Sequence, residues 1–473
     1  MIGKAPAPAI ALLLLLGHGR LESPTTALAI VPGLEAPPEF KGGSPTPPAV
    51  LPPAHACSGS AADPGNHRLP GQIDGTLVKG AQGLRALRAA WGDSLIFVRG
   101  GKFEGADLRG ARLHNICFVG TSFVASDWRG ADARGVGFFW SDLTGSNLGG
   151  ARMAGVLFDN PYLARVDATG ADLSGGSVSG SDLGSLSGLR LDGANLQGFR
   201  FNCRPISGEG CGEWDMISFR NADLRGALLD GVRGQADWRG ARIGGTQVRL
   251  TQLKELAPAR ITGSVIVHEA PVKVALAAKE YRWLQPHIGD REEALPADSG
   301  RRKVTAGPKW MRKGADMLFV APTIGFDDAA RGSALYKRLM PAIVAGAISY
   351  ARVKVKRDGS VEASGSAIGG NGHMCGLGAK GLRLGKDGWY SAWAEPFDPP
   401  NPPPTAPVPV LRFWNDRVEV FEGGRPRDEA VLRNGFDRFA MCGARAEFDE
   451  MMLVPFPPSE AHRLWHAAGM DAG

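Results

Sequence analysis

The chain has 473 residues, 43% hydrophobic and 22% charged, so it can build packed cores and is excluded from the wholly disordered class. Its 66 glycines and 34 prolines point to a turn-rich β protein; no Gly-X-Y period permits collagen, and six cysteines are too few for a disulfide-dense mini-domain. The formal charge of +6 is mild and acquires meaning only once it is localised.

The first residues, MIGKAPAPAIALLLLLGHG, place one lysine before a short apolar run, Ala9 to Leu16, which cannot span a bilayer as a helix. Ala27-Leu28-Ala29 fits an A-x-A cleavage site. Residues 1–29 are therefore expected to be a signal peptide, directing the chain to the periplasm or out of the cell. No later segment is apolar for long enough to span a membrane, so no transmembrane segment is expected in the mature chain. Residues 30–79 read as a Pro-rich disordered linker or arm. In Gly80 to Gly101 the spacing of Leu84, Leu87 and Trp91 predicts a helix, and SLIFVRG predicts a strand. Residues 80–100 are assigned as an N-terminal cap.

From residue 101 the chain reads GKFEG ADLRG ARLHN ICFVG TSFVA SDWRG, and the period of five persists. The third residue of each block is apolar. Phe103, Leu108, Leu113, Phe118, Phe123, Trp128, Phe138, Leu143, Leu148, Leu173 and Leu183 hold this place, and Leu196, Phe201, Leu224, Trp238 and Ile243 carry it on through slips of register. The first residue is usually small, as in Ala106, Thr121 and Ser126; the second is often polar, as in Asp107, Asp127 and Asp132. Neither a helix nor a flat strand has this period. A coil of square cross-section does, with one block per side, apolar groups inward, and each side paired to the coil above at roughly 4.8 Å. The span 101–253 gives about seven coils and a rod about 30 Å long. It holds 16 acidic and 16 basic residues, so its net charge is zero.

The A-(D/N)-L-x-x pattern, as in Ala106-Asp107-Leu108 and Ala171-Asp172-Leu173, resembles the pentapeptide-repeat family over about residues 101–253. The resemblance implies a right-handed quadrilateral β-helix, so the expected fold class is mainly β, a solenoid followed by a small antiparallel barrel or sandwich. Some proteins of that family mimic DNA and inhibit topoisomerases. That role needs a cytoplasmic location and a strongly acidic rod; this rod is neutral and follows a signal peptide, so the role is disfavoured and no nucleic-acid partner is expected.

Asn202 to Trp214 interrupts the repeat, and insertions in solenoids emerge as surface loops that often carry contacts. In an oxidising compartment the cysteines should pair. The expected bridges are Cys203–Cys211 across this loop, Cys375–Cys442 in the C-terminal domain, and Cys57–Cys117, tying the arm to the rod. Residues 254–285 read as a C-terminal cap and 286–314 as a basic linker. Within the linker, Arg301, Arg302, Lys303, Lys309, Trp310, Arg312 and Lys313 form either a solvated stretch or an anion-binding or membrane-surface patch with Trp310 at the interface.

The pattern then changes. SALYKRLMPAIVAGAIS (Ser333 to Ser349) predicts a helix with Pro341 as kink or boundary. Hairpins are expected around Asp358-Gly359, Asp387-Gly388 and Asn415-Asp416, with a last strand in ARAEFDEMMLVPF. Residues 315–458 are assigned as a small β domain and 459–473 as a terminal helix or tail. GNGHMCGLGAKG and MCGARAEFDE loosely resemble exported β-barrels of the lysozyme-inhibitor type.

No catalytic constellation is legible. Gly376, Gly378 and Gly381 fit G-x-G-x-x-G but lie between expected strands and open no helix, so the dinucleotide context is missing. His462 and His466 make a poor metal site as a pair, and His373 beside Cys375 reads as the neighbour of a bridged cysteine. No cofactor or metal is expected. The reading is an exported, non-catalytic scaffold or binding protein that uses the rod and the C-terminal β domain to engage a protein or envelope component; a dimer is possible. The alternatives are an inhibitor of an envelope hydrolase acting through the barrel, and a cell-envelope enzyme with an unrecognised site.

Overall fold

The computed structural model describes residue 57 and residues 72–180, 186–203, 216–229, 236–269, 272–289, 308–347, 349–368, 374–393, 407–414, 417–420, 440–442, 451–453 and 459. The described residues fall into two compact units. The first takes in residue 57 and the chain from residue 72 to Gln247, with Glu255–Ser264; the second takes in Val248–Lys254 and the chain from Val265 on.

The first unit is a four-sided β-solenoid. On one side β1 (Gln72–Asp74), β2 (Ile96–Arg99), β3 (Ile116–Val119), β4 (Gly137–Phe139), β5 (Leu157–Asp159), β6 (Ser177–Gly180) and β7 (Arg200–Cys203) form a parallel sheet in chain order. Phe97 faces Cys117, then Gly137, Leu157 and Ser177, a step of 20 residues or four blocks per turn. The turn lengthens at the two slips, where Ser177 faces Arg200 and Arg200 faces Leu228. The other three sides carry single rungs. One row runs Lys102, Ser122, Asp142, Tyr162; the next Asp107, Asp127, Asn147, Asp167, Arg190; the last Arg112, Asp132, Arg152, Asp172, Asn195, Asp223, Arg242. Backbone bonds such as Leu108 N to Asp127 O (2.7 Å) and Asp127 N to Ala106 O (2.9 Å) join each coil to the next.

The bore is filled by the third residue of each block. Every expected core residue among the described positions is buried, from Phe103 to Ile243; Leu183 lies outside the described residues. Along a side the rings stack, Phe118 on Phe138 at 5.5 Å and Phe138 on Phe158 at 5.4 Å; across a corner they meet edge-on, Phe118 to Phe123 at 4.9 Å. Both arrangements suit the aromatic quadrupole. The small first residue leaves room for these rings, and where it is hydroxylated it stays satisfied. Ser146 donates to the Phe123 carbonyl at 2.7 Å, and the Trp128 indole donates to Ser126 at 2.8 Å.

The N-terminal end begins earlier than residue 80. β1 lies in the stretch read as the Pro-rich arm, yet it pairs with β2 as the first rung. Its three residues are too few to show an alternation in sequence. The helix α1 (Gly80–Trp91) follows it and occupies the stretch before β2. Gly75 must be glycine, because an added Cβ would stand 1.8 Å from the Gly100 carbonyl oxygen. From α1, Arg88 donates to the carbonyls of His114 and Ser94 (2.6 and 2.7 Å), and Arg85 to that of Asp107 (3.1 Å). These guanidinium groups satisfy acceptors that an uncapped sheet end would leave unpaired.

The exterior is not polar throughout. Outward from the seven-stranded sheet point Phe97, Cys117, Val119, Phe139 and Leu157, and Cys57 joins their apolar cluster, bonded to Cys117 with Cα atoms 5.9 Å apart. The two residues are 60 apart in sequence, a closure worth about 4 kcal/mol in the chain-entropy account.

In the second unit, β8 (Asp316–Ala321), β9 (Ser349–Val355), β10 (Val361–Ile368), β11 (Met374–Leu384), β12 (Tyr390–Ala392), β13 (Val408–Phe413), β14 (Arg417–Val420), β15 (Ala440–Cys442) and β16 (Met451–Leu453) form one antiparallel sheet. The order is β10-β9-β8-β16-β14-β13-β12-β11-β15, and β10 also pairs with β11, so the sheet rolls onto itself around Phe319, Val353, Leu382, Leu411 and Phe413. The turns at Asp358-Gly359 and Asp387-Gly388 are where the hairpins require them, each aspartate accepting a backbone N–H two residues on. The helix α3 (Ala334–Ala345) runs through Pro341. The carbonyl that loses its partner belongs to exposed Lys337, where water can replace it, and the buried Ala342, Ile343 and Val344 carry the helix on. Of the segment read as a C-terminal cap, Glu255–Ser264 belongs to the first unit, where Arg260 and Ile261 pair with Arg242 and Ile243, and the chain from Val265 on belongs to this one. Its helix α2 (Ala278–Leu284) presents Glu280 to Arg338 of α3 at 2.7 Å, and Glu269, buried, accepts from Leu250 N at 2.7 Å.

Two outcomes are expected. Phe118→Ala should cost about 3–5 kcal/mol in chemical denaturation, because four stacked or edge-on ring contacts are lost with the volume. Asp132 and Asp223 are buried carboxylates, held below the usual range by hydrogen bonds from Arg134 and Arg225. A carboxylate that titrates lower when folded contributes stability that is whole above about pH 4 and is lost as pH falls through the depressed value. The Asp132→Asn, Asp223→Asn double variant should therefore melt below wild type at neutral pH, and the two melting curves should converge in acid.

Candidate ligand-binding groove

Two of the four sides of the solenoid neutralise their own charge. The second and fourth positions of a block both point outward, so an Asp and an Arg two residues apart lie side by side. Arg109 pairs with Asp107 at 2.7 Å, Arg129 with Asp127 at 2.6 Å, Arg225 with Asp223 at 2.7 Å and Arg239 with Asp237 at 2.6 Å. These guanidinium groups hold the Asp107 and Asp237 carboxyls well below the usual carboxylate range. Each aspartate also accepts the backbone N–H two residues on, as from Arg129 N at 3.1 Å. Such rows are saturated and offer a partner little.

The side carrying Lys102, Ser122, Asp142 and Tyr162 differs. Between this row and the turn at residues 75–80 lies a groove of about 620 Å³, with Gly75, Gly101 and Gly120 contributing backbone to its lining. Trp140 and Tyr162 line it as well and remain 42% and 52% exposed, which sets them apart from the buried aromatic rings of the bore. Lys79 points its ammonium at the Thr76 carbonyl, 3.0 Å away. Asp142 accepts Thr144 N through Oδ1 at 2.8 Å, and its Oδ2 takes no hydrogen bond from a described residue; Ser122 donates to Glu104 at 3.0 Å. The charged lining residues are Lys79, Lys102 and Asp142, and Glu104, bonded to Ser122 just outside the lining, balances the second lysine.

Trp140 stands at a corner where its counterparts in the adjoining coils are Gly100, Gly120 and Asn160. All four are left-handed, with φ of 51° for Trp140 and 66°, 60° and 48° for the others. Glycine adopts this region freely and asparagine readily; a bulky side chain pays about 1–2 kcal/mol. The corner geometry is imposed by the coil, since Trp140 N donates to the Asp159 carbonyl at 2.9 Å just as Gly120 N donates to that of Phe139 at 2.8 Å. A tryptophan is thus held, at a cost to the fold, where its ring meets solvent.

The sites anticipated from sequence are placed as follows. Cys57 and Cys117 are bonded, and Cys375 and Cys442 sit directly opposite each other on β11 and β15. Cys203 ends β7; Cys211, with the interior of the inserted loop from residue 204 to 215, lies outside the described residues, as do His373, His462, His466, Arg301, Arg302 and Lys303. Trp310 is not an interfacial aromatic. Its ring is edge-on to Phe319 and Phe413, 5.4 Å from each, so it packs on the core of the second unit, while Lys309, Arg312 and Lys313 around it are exposed. Gly376, Gly378 and Gly381 lie within β11, a strand and not a phosphate-binding loop. Among the described residues no group of three His, Cys, Asp or Glu is placed to hold a metal ion, and no helix is long and apolar enough to cross a membrane. A further aromatic cluster, Arg412 between Trp389 and Trp414 at 4.6 and 5.0 Å, is internally satisfied, since Arg412 also pairs with Glu419 at 2.6 Å.

Trp140 and Tyr162 were not singled out from the sequence. The signal was present: the block VGFFW ends in tryptophan where most blocks end in glycine, and PYLAR puts tyrosine where Asp or Asn is usual.

Comparison with known proteins agrees with the repeat. The pentapeptide-repeat family matches in eight copies, over residues 98–123 and 138–175. Among curated proteins no relative matches the chain. Similar solved structures include QnrB1, a plasmid-mediated fluoroquinolone resistance protein (18% identity over 35% of this chain and 82% of that one, TM-score 0.19). They also include HetL, a pentapeptide repeat protein involved in heterocyst differentiation regulation in the cyanobacterium Nostoc sp. strain PCC 7120 (22%, 31%, 80%, TM-score 0.14). A pentapeptide repeat protein of the Arabidopsis thaliana thylakoid lumen is a third (19%, 36%, 86%, TM-score 0.13).

If Trp140 is retained for contact and not for stability, Trp140→Asn should melt at or above the wild-type temperature, because relief of about 1–2 kcal/mol of backbone strain offsets the lost ring packing. A fall in stability of more than about 1 kcal/mol would assign the ring a structural role instead.

Proposed function

We propose that this protein is an exported, non-catalytic binding scaffold whose solenoid is a rigid support for one contact surface, the groove beside Trp140 and Tyr162. The observation that carries the reading is the contrast between sides. Where Asp and Arg face each other the solenoid is saturated; beside the cap turn it exposes two aromatic rings, one of them in a strained backbone conformation, and local strain of this kind gathers at functional positions. Export is supported by the leader-like N-terminus and by the Cys57–Cys117 bond, since such bonds persist in oxidising compartments. The rolled sheet of the second unit would supply a further contact surface, and its partner would be a protein or another envelope component.

The test is photo-crosslinking in the cell of origin, with the photoreactive amino acid placed at Tyr162 in one full-length variant and at Arg129 in another. The reading expects a processed chain outside the cytoplasm, with discrete adducts from position 162 and none from position 129. A full-length, reduced chain in the cytoplasm would remove the export claim. Equal labelling from both positions would remove the assignment of the surface.

A further inference from the structure

Resting on the groove as the contact surface, we propose that its ligand is a neutral glycan, a sugar chain whose rings lie against Trp140 and Tyr162. Three features of the groove carry this.

The first is the pairing of rings with backbone. Trp140 belongs to the coil that contains Asp142, and Tyr162 stands one coil further on, a spacing of about 4.8 Å. Successive rings along one wall offer flat apolar faces, and the carbon–hydrogen face of a pyranose is complementary to such a surface. Gly101 and Gly120 line the groove without side chains, so a ring can approach the backbone closely.

The second is the mixture of hydrogen-bonding groups. Lys102 is exposed and makes no ion pair with a described residue; its ammonium only donates. The Oδ2 of Asp142, which takes no hydrogen bond from a described residue, only accepts, and the Ser122 hydroxyl, whose proton goes to Glu104, accepts as well. Sugar hydroxyls both donate and accept, so they use all three. A phosphate or carboxylate would find two lysines but also Asp142 and Glu104 against it, and a cation would meet the reverse.

The third is the lining, which sets two exposed rings and Val78 beside the polar row. A peptide recognised through side chains needs alternate pockets, whereas the groove presents ring faces and a polar row. A proline-rich peptide is the nearest competitor for exposed aromatic rings and therefore belongs in the test.

The experiment is isothermal titration of the full, oxidised chain with cellotetraose, chitotetraose and maltotetraose, and with a peptide of residues 399–409 as the proline-rich comparator. At least one oligosaccharide is expected to bind with a Kd of about 1 mM or tighter. Tyr162→Ala and Lys102→Ala should each weaken that binding about tenfold or more. Arg129→Ala, on a saturated side, should bind as wild type even where loss of its pair with Asp127 lowers the melting temperature, and Lys102→Ala should keep the wild-type melting temperature. Lys102, an exposed residue outside the core, keeps the test valid even if the tyrosine variant is destabilised. The inference is overturned if none of the three sugars binds, if binding ignores both substitutions, or if only the peptide binds. Protein adducts from position 162 with no sugar binding would sink the glycan and leave the contact surface standing; equal adducts from positions 162 and 129, with sugar binding that ignores both substitutions, would sink the surface and the glycan together.

Discussion

Each coil of the solenoid is fixed to the next by backbone hydrogen bonds at a step of 20 residues, and this step stacks equivalent side chains directly above one another. Everything else in the first unit answers to that constraint. Inside, like on like is an advantage, because phenyl rings stack along a side and turn edge-on at the corners. Outside, like on like is a hazard, because a column of aspartates would repel itself. The chain avoids it by setting an arginine two residues beyond many of the aspartates, so that Asp107, Asp127 and Asp223 each have a guanidinium beside them within their own coil. The charge balance of the rod is a condition of its stacking.

The same constraint explains which parts of the fold were legible. A period of five is a strong signal because every coil repeats it, and the buried residues from Phe103 to Ile243 follow directly from it. The first rung was not legible. Gln72–Asp74 is three residues long and is recognised only by its pairing with Phe97, Val98 and Arg99. Nor was the apolar exterior of the seven-stranded sheet, where the rule of polar outward positions gives way to Val119 and Phe139 around Cys57. The blocks ICFVG and VGFFW carry consecutive apolar residues, more than one inward face can take, and that excess was readable.

In the second unit, short local signals served well and composition misled. Asp-Gly pairs marked hairpins because the aspartate side chain and the glycine conformation build the turn by themselves. The basic stretch around Trp310 left a solvated stretch and a surface patch both open because charge dominates its composition, whereas the aromatic residue takes its place from what it packs on, here Phe319 and Phe413. The segment after the repeat divides between the units: Arg260 and Ile261 add a rung to the solenoid, while Glu280 ties the later part to Arg338 in the second unit. Charge and exposure in the groove likewise became visible only once the coil step had brought residues 102, 122, 142 and 162 into one row.

The bond between Cys57 and Cys117 has a mechanical consequence. Tension applied to the chain ahead of residue 57 enters the solenoid at β3, two rungs beyond β1. The load is taken there in the middle of a hydrogen-bonded ladder, and the helix and turn that close the end are bypassed. A tether fastened in this way can be pulled without unzipping the coils from their tip.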